Sequence, residues 1–151
     1  MKKYAAAVFG LSLLYPLTGL ADITWGDEWD SCFKKEENPS LSYSCLADKK
    51  KASSKQLDEL ITATVKKIKV SFIGALNGQE EAGQTYGDVF SRRFIKSQNI
   101  WKQYRKEFCH AMASQLNEEA WDYQANIDQC EINLNKRHEE EIHLMGLPAA
   151  R

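Results

Sequence analysis

Residues 98–109 read QNIWKQYRKEFC. Gln98, Trp101 and Arg105 fall at i, i+3 and i+7, so a helix through them presents a glutamine, an indole and a guanidinium on one side. Tyr104 and Phe108 lie beside that face, and Cys109 ends the stretch, placing apolar bulk, polar groups and a possible covalent tether within about three turns. Aromatics at helical spacing usually face a core, which predicts a buried helix whose polar groups hydrogen-bond internally. The helix is expected from about Asp88, with Phe90, Phe94, Ser97, Trp101, Tyr104, Phe108 and Ala111 as its seam.

Working outward, the segment before it loses helical period. Gly74, Asn77-Gly78, Gly83 and Gly87 punctuate it, so 77–87 is read as a long connection. Upstream, after Cys45, Leu57, Leu60, Ile61, Val65, Ile68 and Phe72 recur at threes and fours and predict an amphipathic helix. Its lysines are interleaved with Asp48, Asp58 and Glu59, which suits a solvated face better than a phosphate-binding stripe. Trp25 and Trp29 would share a face of a short amino-terminal helix, and Asn38-Pro39-Ser40 reads as a loop. Downstream, Asn117 can begin a third helix, with Glu118 and Glu119 in its first turn. Its seam runs Ala120, Tyr123, Ile127, Cys130, Leu134, Arg137 or His138, Ile142 and Met145, and Gly146 and Pro148 stop it. The expected fold is all-α: an antiparallel three-helix bundle with a short amino-terminal segment, stapled by two disulfides.

The beginning of the chain reads as an address. Lys2 and Lys3 precede an apolar run, Tyr4 to Leu14, and Gly19-Leu20-Ala21 supplies small residues for cleavage, so 1–21 is read as a signal peptide and 22–151 as one mature domain. The run is short for a bilayer span and Pro16 interrupts it. The expected location is the periplasm, or the outside of the cell, with no membrane attachment after cleavage. The leader takes two of the 20 basic residues and none of the 21 acids, leaving a formal charge of −3. That balance argues against general nucleic-acid binding and favours a basic partner.

The four cysteines, Cys32, Cys45, Cys109 and Cys130, all lie in the mature part. An even count in an exported chain predicts two disulfides, and no close CxxC pair suggests zinc. Antiparallel helices joined near Asn117 would bring Cys109 and Cys130 together, 8 and 13 residues from the turn, leaving Cys32 for Cys45. Crossed pairings remain open at this point.

Little in the sequence looks like catalysis. Cys109 and His110 are helical neighbours pointing about a hundred degrees apart, and a disulfide would consume the thiol. His138 and His143 are spaced i, i+5, which separates their rings on a helix, and a solvated acid-rich helix end is the plainer reading. Glu118, Glu119, Asp122 and Glu139 to Glu141 show no spacing that builds a cleft. The reading is a non-enzyme without metal or cofactor; a hydrolase using Glu118, Glu139 or His138 ranks third.

Cys32 and Cys45, Leu57-Asp58, Gln98-x-x-Trp101-x-x-Tyr104-Arg105 with Cys109, and the later Cys130 together resemble the LprI-type lysozyme-inhibitor-like domain. The likeness runs from about Cys32 to Ile142. The family's layout is a cysteine pair, "LN" on the first helix, "QxxWxxxR" and a cysteine on the second, and a cysteine with a downstream "TxxR" on the third. This chain has Asp58 in place of the asparagine, Ile61 for a common tyrosine, and Asn135 and His138 for the threonine and arginine. The resemblance implies an exported helical domain that inhibits a lysozyme by surface contact, with Gln98, Trp101 and Arg105 as scaffold. Glu80, Glu81 and Tyr86 of the long connection are then the candidate contact residues. An interaction or immunity module for another exported effector is the alternative.

Overall fold

The computed structural model describes residues 23–34, 38–78 and 83–148. The signal-peptide reading therefore lies outside the described residues, as do Glu80 and Glu81. Four helices follow in order: α1 (Asp27–Phe33), α2 (Pro39–Ser71), α3 (Tyr86–Ala113) and α4 (Tyr123–His143). Among the described residues the only extended pairing is an isolated bridge between Ala75 and Thr85.

Helix α2 begins earlier than its apolar period suggests. The Asn38 side chain accepts a hydrogen bond from the Ser40 N–H at 3.0 Å, and Pro39 occupies the first turn, where a missing N–H leaves nothing unsatisfied. The triplet read as a loop is thus a helix start, and Cys45 lies inside the helix. Its 33 residues make a rod about 50 Å long.

The connection read as 77–87 is longer than expected and starts earlier: α2 ends at Ser71 and α3 begins at Tyr86, so fourteen residues, 72–85, separate them. Thr85, not Asp88, caps α3: the Asp88 N–H donates to the Thr85 hydroxyl, and the Asp88 carboxylate accepts from the Thr85 N–H, a reciprocal capping box. Gly87 is in the first turn because α2 crosses it there. A Cβ at Gly87 would stand 3.0–3.1 Å from the backbone of Phe72 and Lys69, and the Gly87 N–H donates to the Phe72 carbonyl at 2.8 Å.

Helix α4 begins six residues later than Asn117. The Asn117 side chain accepts from the Glu119 N–H and its carbonyl from the Ala120 N–H, closing a turn that competes with helix at that point. Residues 114–122 are a connection, and Cys109 then lies four residues from the end of α3 and Cys130 seven from the start of α4. The disulfides join Cys32 to Cys45 and Cys109 to Cys130, with Cα separations of 5.8 and 5.6 Å.

Contacts give the directions. Asp58 meets Lys102 and Phe72 meets Phe90, so α2 and α3 run oppositely. Cys130 meets Cys109 and His138 meets Trp101, so α4 runs opposite to α3 and parallel to α2. The core forms three clusters along the rods. Trp29, Cys32, Leu46, Ala125 and Ile132 hold α1 on, Cys109, Ala113, Ile127, Cys130 and Leu134 surround the second disulfide, and Leu57, Ile68, Phe94 and Ile142 fill the far end. Helix α4 is buried almost all round, including Asp128, Gln129, Glu131, Asn135 and His138. Only an element covered on several sides can use polar groups inside this way, because each finds a partner.

Candidate functional site

The family-like residues of α3 converge on α4. Gln98, 6 % exposed, places Oε1 2.6 Å from His138 Nε2. The Trp101 and His138 rings stack, and the Arg105 guanidinium sits 5.5 Å from the centroid of the same indole. Arg105 donates to Asn135 Oδ1 and lies 3.6 Å from Glu131, which also draws Lys50 of α2 to 3.5 Å. Asn135 in turn donates to Ser53 of α2 at 3.0 Å. One polar layer therefore ties three helices together. Asn135 and His138, two of the four departures from the layout of the family the chain resembles, are themselves the partners of Arg105, Trp101 and Gln98.

This layer corrects two expectations. His138 is buried rather than part of a solvated helix end, and it, not Arg137, faces inward. The seam of α3 is Ser91, Phe94, Gln98, Cys109 and Ala113 with Trp101 and Arg105, whereas Ser97, Tyr104 and Ala111 are exposed. An apolar-only pattern shifted the seam by one residue because glutamine and arginine occupy core positions. Leu57 is fully buried, while Asp58 is exposed and pairs with Lys102. Tyr86, 48 % exposed, accepts a hydrogen bond from the Asn77 N–H at 3.2 Å and so fastens the turn next to it.

A second constellation gathers at the end of the bundle that carries both disulfides. Trp25, Trp29, Phe33, Tyr43 and Trp121 form a continuous ladder of rings with centroids 4.5–5.7 Å apart. Its middle is buried and its ends are open: Trp25 is 51 % and Trp121 74 % exposed. Short amide bonds fix the first rungs. Gln129 accepts from the Trp29 N–H at 2.8 Å, and Asn133 donates to the carbonyls of Ile23 and Trp25. Gly26 permits this close approach, since a Cβ there would lie 2.6 Å from Gln129 Nε2.

Along the stretch of chain that carries Trp121 the charge is one-sided, although Lys34 and Lys136 pair with Asp30 and Glu28 of α1. From Glu107 to Asn135 the chain carries six acids, Glu107, Glu118, Glu119, Asp122, Asp128 and Glu131, and no lysine or arginine. That run marks this end in the sequence, and a reading focused on apolar spacing passes over it. Burial pushes the Asp128 carboxyl above the ordinary range, partly offset by the Gln124 hydrogen bond and the charge of Lys50. Burial and the nearby Asp122 carboxylate raise the Tyr43 phenol likewise. Glu28 goes the other way: burial pushes it up, but hydrogen bonds from Lys136 and Gln129 outweigh this and hold it low.

Between Tyr43, Trp121, Gln124 and Asp128 lies a recess of about 390 Å³. A larger one, about 650 Å³, runs along the exposed face of α2 with that helix as its single wall. No group of histidine, cysteine or carboxylate side chains among the described residues could hold a metal ion. No described helix is long and apolar enough to cross a membrane.

Comparison with protein-family models, with curated proteins and with solved structures found no match.

Proposed function

We propose that this is an exported binding protein that acts by covering a basic partner, in the manner of the LprI-type lysozyme inhibitors its motifs resemble. The observation that carries the reading is the acid-only run from Glu107 to Asn135, folded around the exposed Trp121. A basic enzyme approaching that end is steered by charge, and an open tryptophan beside fixed carboxylates supplies an anchor of the kind that dominates interfaces. Both disulfides brace this end, so little ordering cost remains to be met on binding. The polar layer of Gln98, Trp101 and Arg105 is internal and serves as scaffold. The contact surface is then the turn 114–122 with the start of α4, in preference to the connection containing Tyr86.

The test is titration of the oxidised mature chain, residues 22–151, into lysozymes of several classes while lysis of a cell-wall substrate is followed. Inhibition at micromolar concentration that weakens with added salt supports the reading. Undisturbed lysis by every class overturns the lysozyme assignment. If another basic exported protein then binds the chain with defined stoichiometry, the interaction-module alternative takes its place.

A further inference from the structure

We propose that the recess between Tyr43, Trp121 and Asp128 receives one cationic side chain, an arginine or lysine, projecting from a basic protein partner. The inference rests on the function proposed above and names its central contact. The recess, about 390 Å³, is within the range of roughly 300–1,000 Å³ usual for ligand pockets. Its walls offer the two things a guanidinium or ammonium group seeks. Trp121 supplies an indole held at 5.7 Å from Tyr43 and left 74 % exposed, and indoles are the preferred faces for cations. Asp128 supplies a carboxylate, 5 % exposed, whose recorded hydrogen bond comes from a neutral donor, Gln124 Nε2 at 3.0 Å.

Among the described residues no cation is in contact with that carboxylate, although the charge of Lys50 reaches it from a distance. Lys50 and Arg105 both lean on Glu131, at 3.5 and 3.6 Å, and Lys49 belongs to a different recess beside Glu28. The Tyr43 hydroxyl is buried without a hydrogen-bond partner among the described residues, and Asp122 stands close enough to raise its phenol. An arriving cation would relieve both burdens, meeting the carboxylate that burial disfavours and adding a donor near the phenol oxygen. Arginine fits best, because a flat guanidinium can stack on the indole while forking to a carboxylate. Carriage on a protein is favoured over a free small cation because Asp122 stands near the Tyr43 phenol and Glu118 and Glu119 come just before Trp121 in the chain, rewarding positive charge beyond one side chain.

The experiment is a nitrogen-15 NMR titration of the oxidised mature chain with acetyl-arginine-amide and, separately, with its neutral isostere acetyl-citrulline-amide. The arginine probe is expected to shift the Trp121 indole N–H and the Gln124 side-chain amide saturably, and the citrulline probe is expected to leave them in place. Trp121→Ala and Asp128→Asn, each checked for native circular dichroism, are expected to weaken the arginine probe at least about tenfold. Equal shifts from citrulline, no shift at all, or unchanged affinity in Trp121→Ala would overturn the proposal. The two readings fail separately. If Trp121→Ala still inhibits a lysozyme as the parent chain does, the recess is wrong and the function stands. If arginine fills the recess but no basic protein binds, the recess stands and the function is wrong.

Discussion

Trp101 and His138 lie face to face, with ring centroids 3.9 Å apart and planes 7° from parallel. The stack joins α3 to α4 midway along the bundle, and Gln98 and Glu141 hold the two ring nitrogens of His138 at 2.6 and 2.7 Å. Trp101→Ala should cost about 3 kcal/mol, the size expected for removing a large ring from a packed site. A double-mutant cycle with His138→Ala should give a coupling of about 1 kcal/mol. Urea unfolding of the four proteins measures it. A coupling near zero would show that the rings are neighbours without being partners.

Arg105 is the residue for which a like-charged replacement should fail. Its fork reaches Asn135 and Glu131 at once while its plane lies over Trp101. Arg105→Ala should lose about 3 kcal/mol, since among the described residues buried Glu131 then keeps Lys50 alone as an ion partner and Asn135 Oδ1 loses its donor. Arg105→Lys should recover less than half of that, because an ammonium cannot fork or stack. Full recovery by lysine would reduce the role of Arg105 to charge alone.

Asp128 sets a pH dependence with a definite sign. Burial raises its folded value above the ordinary 3.8, so its contribution to stability is complete below 3.8 and is lost as pH climbs through the raised value. Asp128→Asn should therefore be more stable than the parent at pH 7, with the difference closing by about pH 3. Thermal melts of the two proteins across that interval decide it. A parent that is the more stable at pH 7 would mean that Gln124 and Lys50 outweigh burial.

At Gly87 the usual rule for helices should invert. Alanine in a helix normally gains up to about 1 kcal/mol over glycine. Here its methyl would press on the backbone of Phe72 and Lys69, atoms that cannot swing aside as a side chain can. Gly87→Ala should lower the melting temperature, and a rise would show that α2 and α3 can separate slightly at that crossing.

The helical character of α2 and α3 was legible because Leu57 and Ile68 in α2, and Phe94 and Trp101 in α3, recur at the spacing of a helix face turned to the core. Export and a turn near Asn117 favoured the observed disulfides without excluding crossed pairs; the turn is there, and only the start of α4 was placed too early. The burial of Gln98 was legible in its face with Trp101 and Arg105, but the partners were hidden: sequence patterns score apolar residues, and α4 buries Glu131, Asn135 and His138 as well. Their partners lie 30 to 40 residues away in the chain, in Arg105 with Asn135 and in Gln98 with His138, so no local window contains both. The helix starts at Pro39 and Tyr86 were written locally, in Asn38-Pro39 and in Thr85 with Asp88. The acidic end was written in the absence of a residue type, which motif searches do not see.

The two disulfides, placed as they are at a single end, make this molecule behave like a hinged pair of tongs. Warming should part the tips near Phe72 and Phe90 first, while the jaw bearing Trp121 keeps its shape; amide exchange with deuterium should be fastest at the former and slowest around Cys130. Reduction reverses the order. Each short cross-linked loop contributes roughly 3 kcal/mol in the chain-entropy account. A thiol-rich compartment would thus leave that jaw slack, and oxidation would harden it.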